Sequence, residues 1–183
     1  VTGRILKIMS TNSCNIQTLH ELLICNPISG ILTWKSRPEI GRLDKTWNTR
    51  YAGKTAGCLH KDGYITVSIN SKTYKVHRVI WAMTYGYWPI NDIDHKDGNP
   101  SNDRIGNLRE ATTLENGQNR KINSNNKSGY RGVHWNKPSN KWMAMIKVKG
   151  KCIHLGYFDD IQEASQSYLT AKSELHQFQP IPR

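Results

Sequence analysis

Long apolar runs are missing from these 183 residues, whose mean hydropathy is −0.66. No stretch approaches the ~18–20 apolar residues that a helical membrane span needs, so no membrane partner is expected. The opening VTGRILKIMSTNS also lacks an apolar core of secretory-signal length, and the expectation is an intracellular, cytoplasmic protein. Cysteine is sparse: Cys14, Cys25, Cys58 and Cys152 lie far apart without a CxxC pair. A disulfide framework and a structural zinc are therefore not expected. Acid is scarcer still in one region. From Asn116 to Phe158 there is no Asp or Glu.

Cations fill that gap. The chain holds 26 Lys+Arg against 14 Asp+Glu, a net charge of +12. Arg120, Lys121, Lys127, Arg131, Lys137, Lys141, Lys147, Lys149 and Lys151 all fall in the acid-free stretch. Such a run is either a solvated face or a surface for a polyanion, whose binding relieves the self-repulsion. Tyr130, Trp135 and Trp142, interleaved with these cations, favour nucleic acid.

Periodicity gives the elements. IQTLHELLIC (16–25) has helical spacing and is stopped by Asn26-Pro27. ISGILTW reads as a turn and short strand, and residues 36–56 show no period and read as a long loop. GYITVSI and TYKVHR flank Asn70-Ser71-Lys72 as a hairpin, and VIWAMTYG (79–86) reads as a short helix closed by Gly86. Ile90–His95 and Ile105–Arg109 are expected strands around a turn-rich loop, in which Asp97, Asn99 and Asn102 are turn formers. Thr112-x-x-Glu115 is a capping box, so a helix should run from about Thr113 to Lys121. NSNNKSG is a polar, turn-prone linker. Beyond it lie three short strands, the second with Trp142, Ala144, Ile146 and Val148 on one face and Met143, Met145, Lys147 and Lys149 on the other. One strong helix follows, with Ile161, Ala164, Tyr168, Ala171 and Leu175 on one stripe and Asp160-x-x-Glu163 as its cap.

Asp94-His95 is the first candidate for chemistry. A carboxylate is a hard ligand suited to Mg²⁺, and a neutral imidazole takes a proton from water near pH 7. In a basic protein these are two needs of phosphodiester hydrolysis. Asn107 and Asn116 lie on the next two elements of the same β–loop–β–α unit and add further ligand atoms. Neighbours in a regular strand point to opposite faces, so Asp94 and His95 serve one site only if the strand ends there. Lys96-Asp97-Gly98 supplies that break.

The stretch from VHR (76–78) through WPINDIDHKDGNPSNDRIGNLREATTLENGQN resembles the HNH, or ββα-metal, motif of phage and intron-borne homing endonucleases. The resemblance implies Asp94 as a metal ligand and His95 as the general base. Asn107 would steady the loop and orient the base, and Asn116, where many relatives have His, would be the second metal ligand. It implies one divalent ion, Mg²⁺ or alternatively Mn²⁺. His77 and Arg78 also match, as phosphate contacts or as braces for the hairpin. Arg104 either holds a phosphate or pairs with Asp103.

YRGVHW (130–135), Lys141, Trp142, Ala144, Ile146, LGYFDD (155–160) and the helix residues from Glu163 to Ala171 resemble a second family, the DNA-binding domain of AP-two/ethylene-response factors. In that family the sheet lies in the major groove. By position the implied contacts are Arg131, Gly132, His134, Asn136, Lys147, His154 and Tyr157. Lys149 and Lys151 flank a Gly turn and would meet phosphate. Trp135 is either a base or sugar contact or a cover for the sheet edge.

Together these readings give an α+β protein. An N-terminal extension with a β-hairpin and HNH core spans 1–122, a linker 123–128, and an AP-two-like module of three antiparallel strands on one helix 129–183. The expected activity is metal-dependent cleavage of double-stranded DNA, a homing-type nick leaving 5′-phosphate and 3′-hydroxyl ends. The expected state is a monomer or weak dimer without a small-molecule substrate, acting in a phage-infected or bacterial cell. The rival reading is a DNA-binding regulator whose HNH scaffold is inert. RNA binding through exposed aromatics lacks any RNA-module signature.

Overall fold

The computed structural model describes residues 13–118, 122 and 125–176. They form a mixed α/β chain with small, mainly antiparallel sheets. Among the described residues two compact units emerge, one of 13–95 with 99–109, the other of 96–98 with those from 110 to 176. Compactness thus divides the chain near 110, ahead of the expected 123–128 linker, in which 123 and 124 lie outside the described residues.

The first unit opens on α1 (Ile16–Leu22), whose N-cap Asn15 accepts from the Gln17 N–H at 2.9 Å. The expected helix over 16–25 ends early: Leu23–Asn26 is a strand, β1, paired with β2 (Ile31–Trp34). Its Leu23 is buried beside Leu19 and Leu32, so tertiary packing overrides the helical spacing of the run. In the turn between β1 and β2, Gly30 has φ 74°, and a Cβ there would sit 2.6 Å from both Asp103 C and Arg104 N. Only Gly fits. The Ile105 N–H donates to Pro27 O at 2.9 Å, fastening the same turn to the same loop.

The expected loop over 36–56 contains a helix, α2 (Arg42–Tyr51). It buries no residue, so no apolar stripe announces it. Its Trp47 stacks edge-on to Trp34 at 5.6 Å, with the Arg37 guanidinium 3.8 Å from the Trp47 ring centre. Next, β3 (Cys58–Leu59), β4 (Ile65–Ile69) and β5 (Lys72–Lys75) form a sheet, and the β4–β5 hairpin turns through positive φ at Asn70 and Ser71. The helix expected at 79–86 starts three residues earlier: α3 runs Val76–Tyr85, closed by Gly86 at φ 77°. Val76, Val79, Ile80, Ala82 and Met83 pack on Leu19, Leu32, Val67 and Ile69 as the unit's core. Trp81, on another face of α3, packs on Ile93 and Leu108, which fixes β6 (Asp92–His95) and β7 (Leu108–Ala111). The expected strand from Ile105 is a 3₁₀ turn over Ile105–Asn107 before β7 begins.

In the second unit α4 (Thr113–Gln118) forms with its capping box intact. The Thr112 N–H donates to Glu115 Oε2 at 2.8 Å and the Glu115 N–H to Thr112 Oγ1 at 3.3 Å. The expected continuation of this helix to Lys121 falls on residues 119–121, outside those described, as do Arg120 and Lys121 themselves. Strands β8 (Val133–Asn136), β9 (Lys141–Val148) and β10 (Lys151–Phe158) make an antiparallel sheet. Helix α5 (Ile161–Leu175) lays Ala164, Tyr168 and Ala171 over Val133, Ala144 and Ile146. The expected cap at Asp160 is not made: its side chain accepts no bond from the helix N-terminus.

Candidate nuclease site

Asp94 and His95 close β6, and both are buried, at 5% and 4% exposure. Each is held by its own partner. Arg109, on the paired strand β7, donates Nε and Nη2 to Asp94 Oδ2 at 2.9 and 2.7 Å. His95 Nε2 lies 3.0 Å from Asp103 Oδ1. These are charge-assisted contacts that fix two neighbouring side chains at the end of one strand. The strand stops at His95, as the Lys-Asp-Gly break requires.

Asp103 is 2% exposed and has no hydrogen-bond partner for its Oδ2. Burial raises its carboxyl above the ordinary value, opposed by the hydrogen bond and charge of His95. The loop carrying it is clamped by Asn107, whose Nδ2 donates to Asn102 O at 2.9 Å. Asn107 is thereby tied to the segment on which the His95 partner rides.

His77 stands behind His95, with ring centres 4.9 Å apart and the planes nearly perpendicular. Tyr64 covers both rings, at 5.4 and 5.9 Å. At 3% exposure His77 has almost no surface to offer a phosphate, which favours the bracing role. Its pKa is pushed down to about 3, by burial first and then by the charges of His95, Lys75 and Arg78. Arg78 donates to the carbonyls of Asn91 and Pro89 at 3.0 and 2.8 Å, tying α3 to the entry of β6. Arg104 is exposed and forms no ion pair with Asp103, which turns to His95 instead.

Asn116 lies on α4 and is half-buried. Sequence reasoning missed Arg109 as the partner of Asp94 and gave Asp103 only to Arg104. One signal was present. Arg109 is a lone cation on the strand after the Asn107 position, where an unpaired buried carboxylate on the neighbouring strand needs one.

In the second unit the register sets out the face away from α5: His134, Met143 and Tyr157 in one row, Met145 and His154 in the next, then Lys147 and Cys152. His154 and Tyr157 share this face because β10 carries a bulge between His154 and Gly156. Their rings lie 4.6 Å apart. Lys147 and Lys151 are exposed, and Lys149 occupies the β9–β10 turn at φ 49°. Asn136 accepts from the Ser139 N–H and Oγ at 3.0 and 2.8 Å and so shapes a turn. Two expected contacts are not on this face. Arg131 donates to Gln118 O at 2.9 Å, and a Cβ on Gly132 would lie 2.2 Å from the Tyr168 ring. Gly132 is there for close packing. Trp135 pairs across the sheet with Trp142, with which it stacks at 5.1 Å.

A profile of the HNH endonuclease family matches residues 74–118, the span that holds α3, β6, β7 and α4. Over 106 residues the chain is 35% identical to Protein 3.8 of Escherichia phage T7, covering 57% of this chain and 87% of that protein. It is also similar, at 28% identity and a TM-score of 0.39, to a solved structure described as "DNA binding and cleavage by the HNH homing endonuclease I-HmuI". That match covers 57% of this chain, and the chain spans about 55% of that structure's length. No described helix is long and apolar enough to cross a membrane. With the HNH profile lying over the strand that holds Asp94 and His95, the chain belongs to the family of phage T7 Protein 3.8 and is an HNH endonuclease.

Proposed function

We propose that this HNH endonuclease hydrolyses phosphodiester bonds of double-stranded DNA, as a homing-type enzyme that nicks one strand per site. The observation that carries the reading is the buried Asp94–His95 pair, with the carboxylate held by Arg109 and the imidazole by Asp103. With His95 Nε2–H donating to the Asp103 carboxylate, the imidazole lone pair sits on Nδ1 and takes the proton of the attacking water. Asp103 keeps the ring oriented while this happens, and Asn107 keeps Asp103 in place.

Asp94 and Asn116 are the proposed holders of one divalent ion, Mg²⁺ or Mn²⁺. The donor set fits a hard cation, being one carboxylate and one amide oxygen. A carboxylate offers about four lone-pair directions, so the two Arg109 bonds do not by themselves exhaust Asp94. Such an ion supplies charge stabilisation at the departing 3′ oxygen, leaving 5′-phosphate and 3′-hydroxyl ends.

Residues 129–183 are proposed as the AP-two-like targeting module. Its face of His134, Asn136, Lys147, His154 and Tyr157, with Lys149 and Lys151 at the turn, would lie against DNA, with Lys side chains on phosphate. One active centre per chain makes a single nick the expected event for a monomer.

Supercoiled plasmid incubated with the protein and Mg²⁺ tests the reading. Open circles should form, chelator should stop them, and His95→Ala should bind DNA yet leave the plasmid supercoiled. Open circles at the wild-type rate with His95→Ala would remove His95 from the chemistry. Binding without any nicking by the wild-type chain would instead make the fold an inert scaffold.

A further inference from the structure

His77, His95 and Asp103 bring two imidazole nitrogens and a carboxylate oxygen within 4.8 Å of one another. His95 Nε2 is 3.0 Å and His77 Nδ1 3.8 Å from Asp103 Oδ1. Ligand atoms around a tetrahedral Zn²⁺ are separated by about 3.3 Å, so small side-chain shifts would close this set around an ion. The three residues come from α3, β6 and the loop before Ile105, all within the first unit.

Two atoms on these side chains have an unmet need. His77 Nδ1 and Asp103 Oδ2 are buried with no hydrogen-bond partner, a condition that costs stability. Burial keeps His77 neutral and its lone pair available. Two nitrogens and one oxygen suit a borderline ion such as Zn²⁺, whereas Mg²⁺ demands oxygen. The set is therefore chemically distinct from the oxygen donors Asp94 and Asn116.

We infer that His77, His95 and Asp103 form an inhibitory site for a Zn²⁺-class transition ion, which switches the nuclease off by occupying its general base. The switch follows from imidazole chemistry. A neutral imidazole has one nitrogen lone pair, and when Nε2 gives it to a metal, Nδ1 keeps the proton. His95 then has no nitrogen left to accept a proton from water. This role rests on the reading of His95 as the base; the ion site itself rests on the geometry alone.

Co²⁺ added to metal-free, full-length protein probes the site directly. A visible absorption band of tetrahedral Co²⁺, saturating at one ion per chain and unmoved by millimolar Mg²⁺, is expected. His77→Phe and Asp103→Asn should each lose it. No band, or a band erased by Mg²⁺, overturns the site without recourse to any variant. In the Mg²⁺ nicking assay, Zn²⁺ should inhibit the wild-type chain, and chelation of zinc followed by Mg²⁺ should restore it. Half-inhibition of His77→Phe, measured against its own zinc-free rate, should need at least about tenfold more Zn²⁺. Equal inhibition of both proteins overturns the inference. A chain that shows the Co²⁺ band but never nicks under Mg²⁺ would overturn the nuclease reading and the inhibitory role, leaving the ion site standing.

Discussion

At the residue scale, the site is a set of buried polar groups held by neighbouring side chains. Asp94 depends on Arg109, and that dependence is testable. Arg109→Met keeps the length of the side chain and removes its charge, leaving a carboxylate at 5% exposure without its cation. Breaking a buried pair costs 3–5 kcal/mol, and with the Arg109 side chain 21% exposed the expected loss is about 1–3 kcal/mol. If Asp94 holds the divalent ion, Mg²⁺ should raise the melting temperature of Arg109→Met by more than that of the wild type, because it returns positive charge to the same oxygens. Equal protection in thermal melts would separate Asp94 from the metal. Residues of this kind were legible in the sequence as types but not as pairs. Asp94, His95 and Asn107 stand out in the motif, whereas the partnerships with Arg109 and Asp103 depend on how a strand and a loop fold back.

At the scale of elements, the sheet of the second unit shows what periodicity reads well and what it misses. The alternation in β9 correctly separated Ala144 and Ile146, both buried, from Lys147, exposed. The bulge in β10 is invisible to alternation, yet it is what sets His154 and Tyr157 on one face. Helix α2 was missed for the converse reason: a helix that buries nothing has no stripe to read. Strand β1 reads as helix in the sequence because Leu19, Leu22 and Leu23 suit either element until β2, with Leu32, pairs alongside. The cations of this sheet give a quantitative expectation. Replacing Lys147, Lys149 and Lys151 with Gln should weaken DNA binding and flatten its dependence on salt. If each contacts one phosphate, the log–log slope should fall by up to ~2.7 in total, at ~0.9 per contact. An unchanged slope in binding titrations from low to moderate salt would place these lysines away from DNA.

At the scale of the whole molecule, acid should act unequally on the two units. His77 belongs to the first unit, and its folded pKa of about 3 lies well below the unfolded value of 6.5. Above pH 6.5 it is neutral in both states and contributes no difference. As pH falls below 6.5 the unfolded chain binds a proton that the folded one refuses, so stability is lost progressively down to about pH 3. Between pH 6.5 and 5 the loss is about 2 kcal/mol, at 1.36 kcal/mol per unit. Asp103 works in the opposite sense: burial raises its carboxyl from 3.8, so the proton it takes up in the folded chain offsets part of the His77 loss. Among the described residues of the second unit, burial raises Tyr168 from 10.0 and lowers Lys172 from 10.5, groups whose ordinary values lie far above pH 6. Calorimetry from pH 7 to 5 should therefore find the first unit's unfolding moving to lower temperature while the second unit's stays in place. Equal movement of both would mean that His77 takes up its proton without unfolding.

The turn at Gly30 has a consequence that reaches past its own hairpin. Its backbone lies against the peptide joining Asp103 to Arg104, so the turn serves as a doorstop for the loop that aims the imidazole. A side chain added there would push the loop and tilt His95 without touching substrate, ion or base. Selection for sluggish variants of this enzyme should accordingly return changes in a turn some sixty-five residues upstream of His95 in the chain, and their suppressors should map to the 99–107 loop.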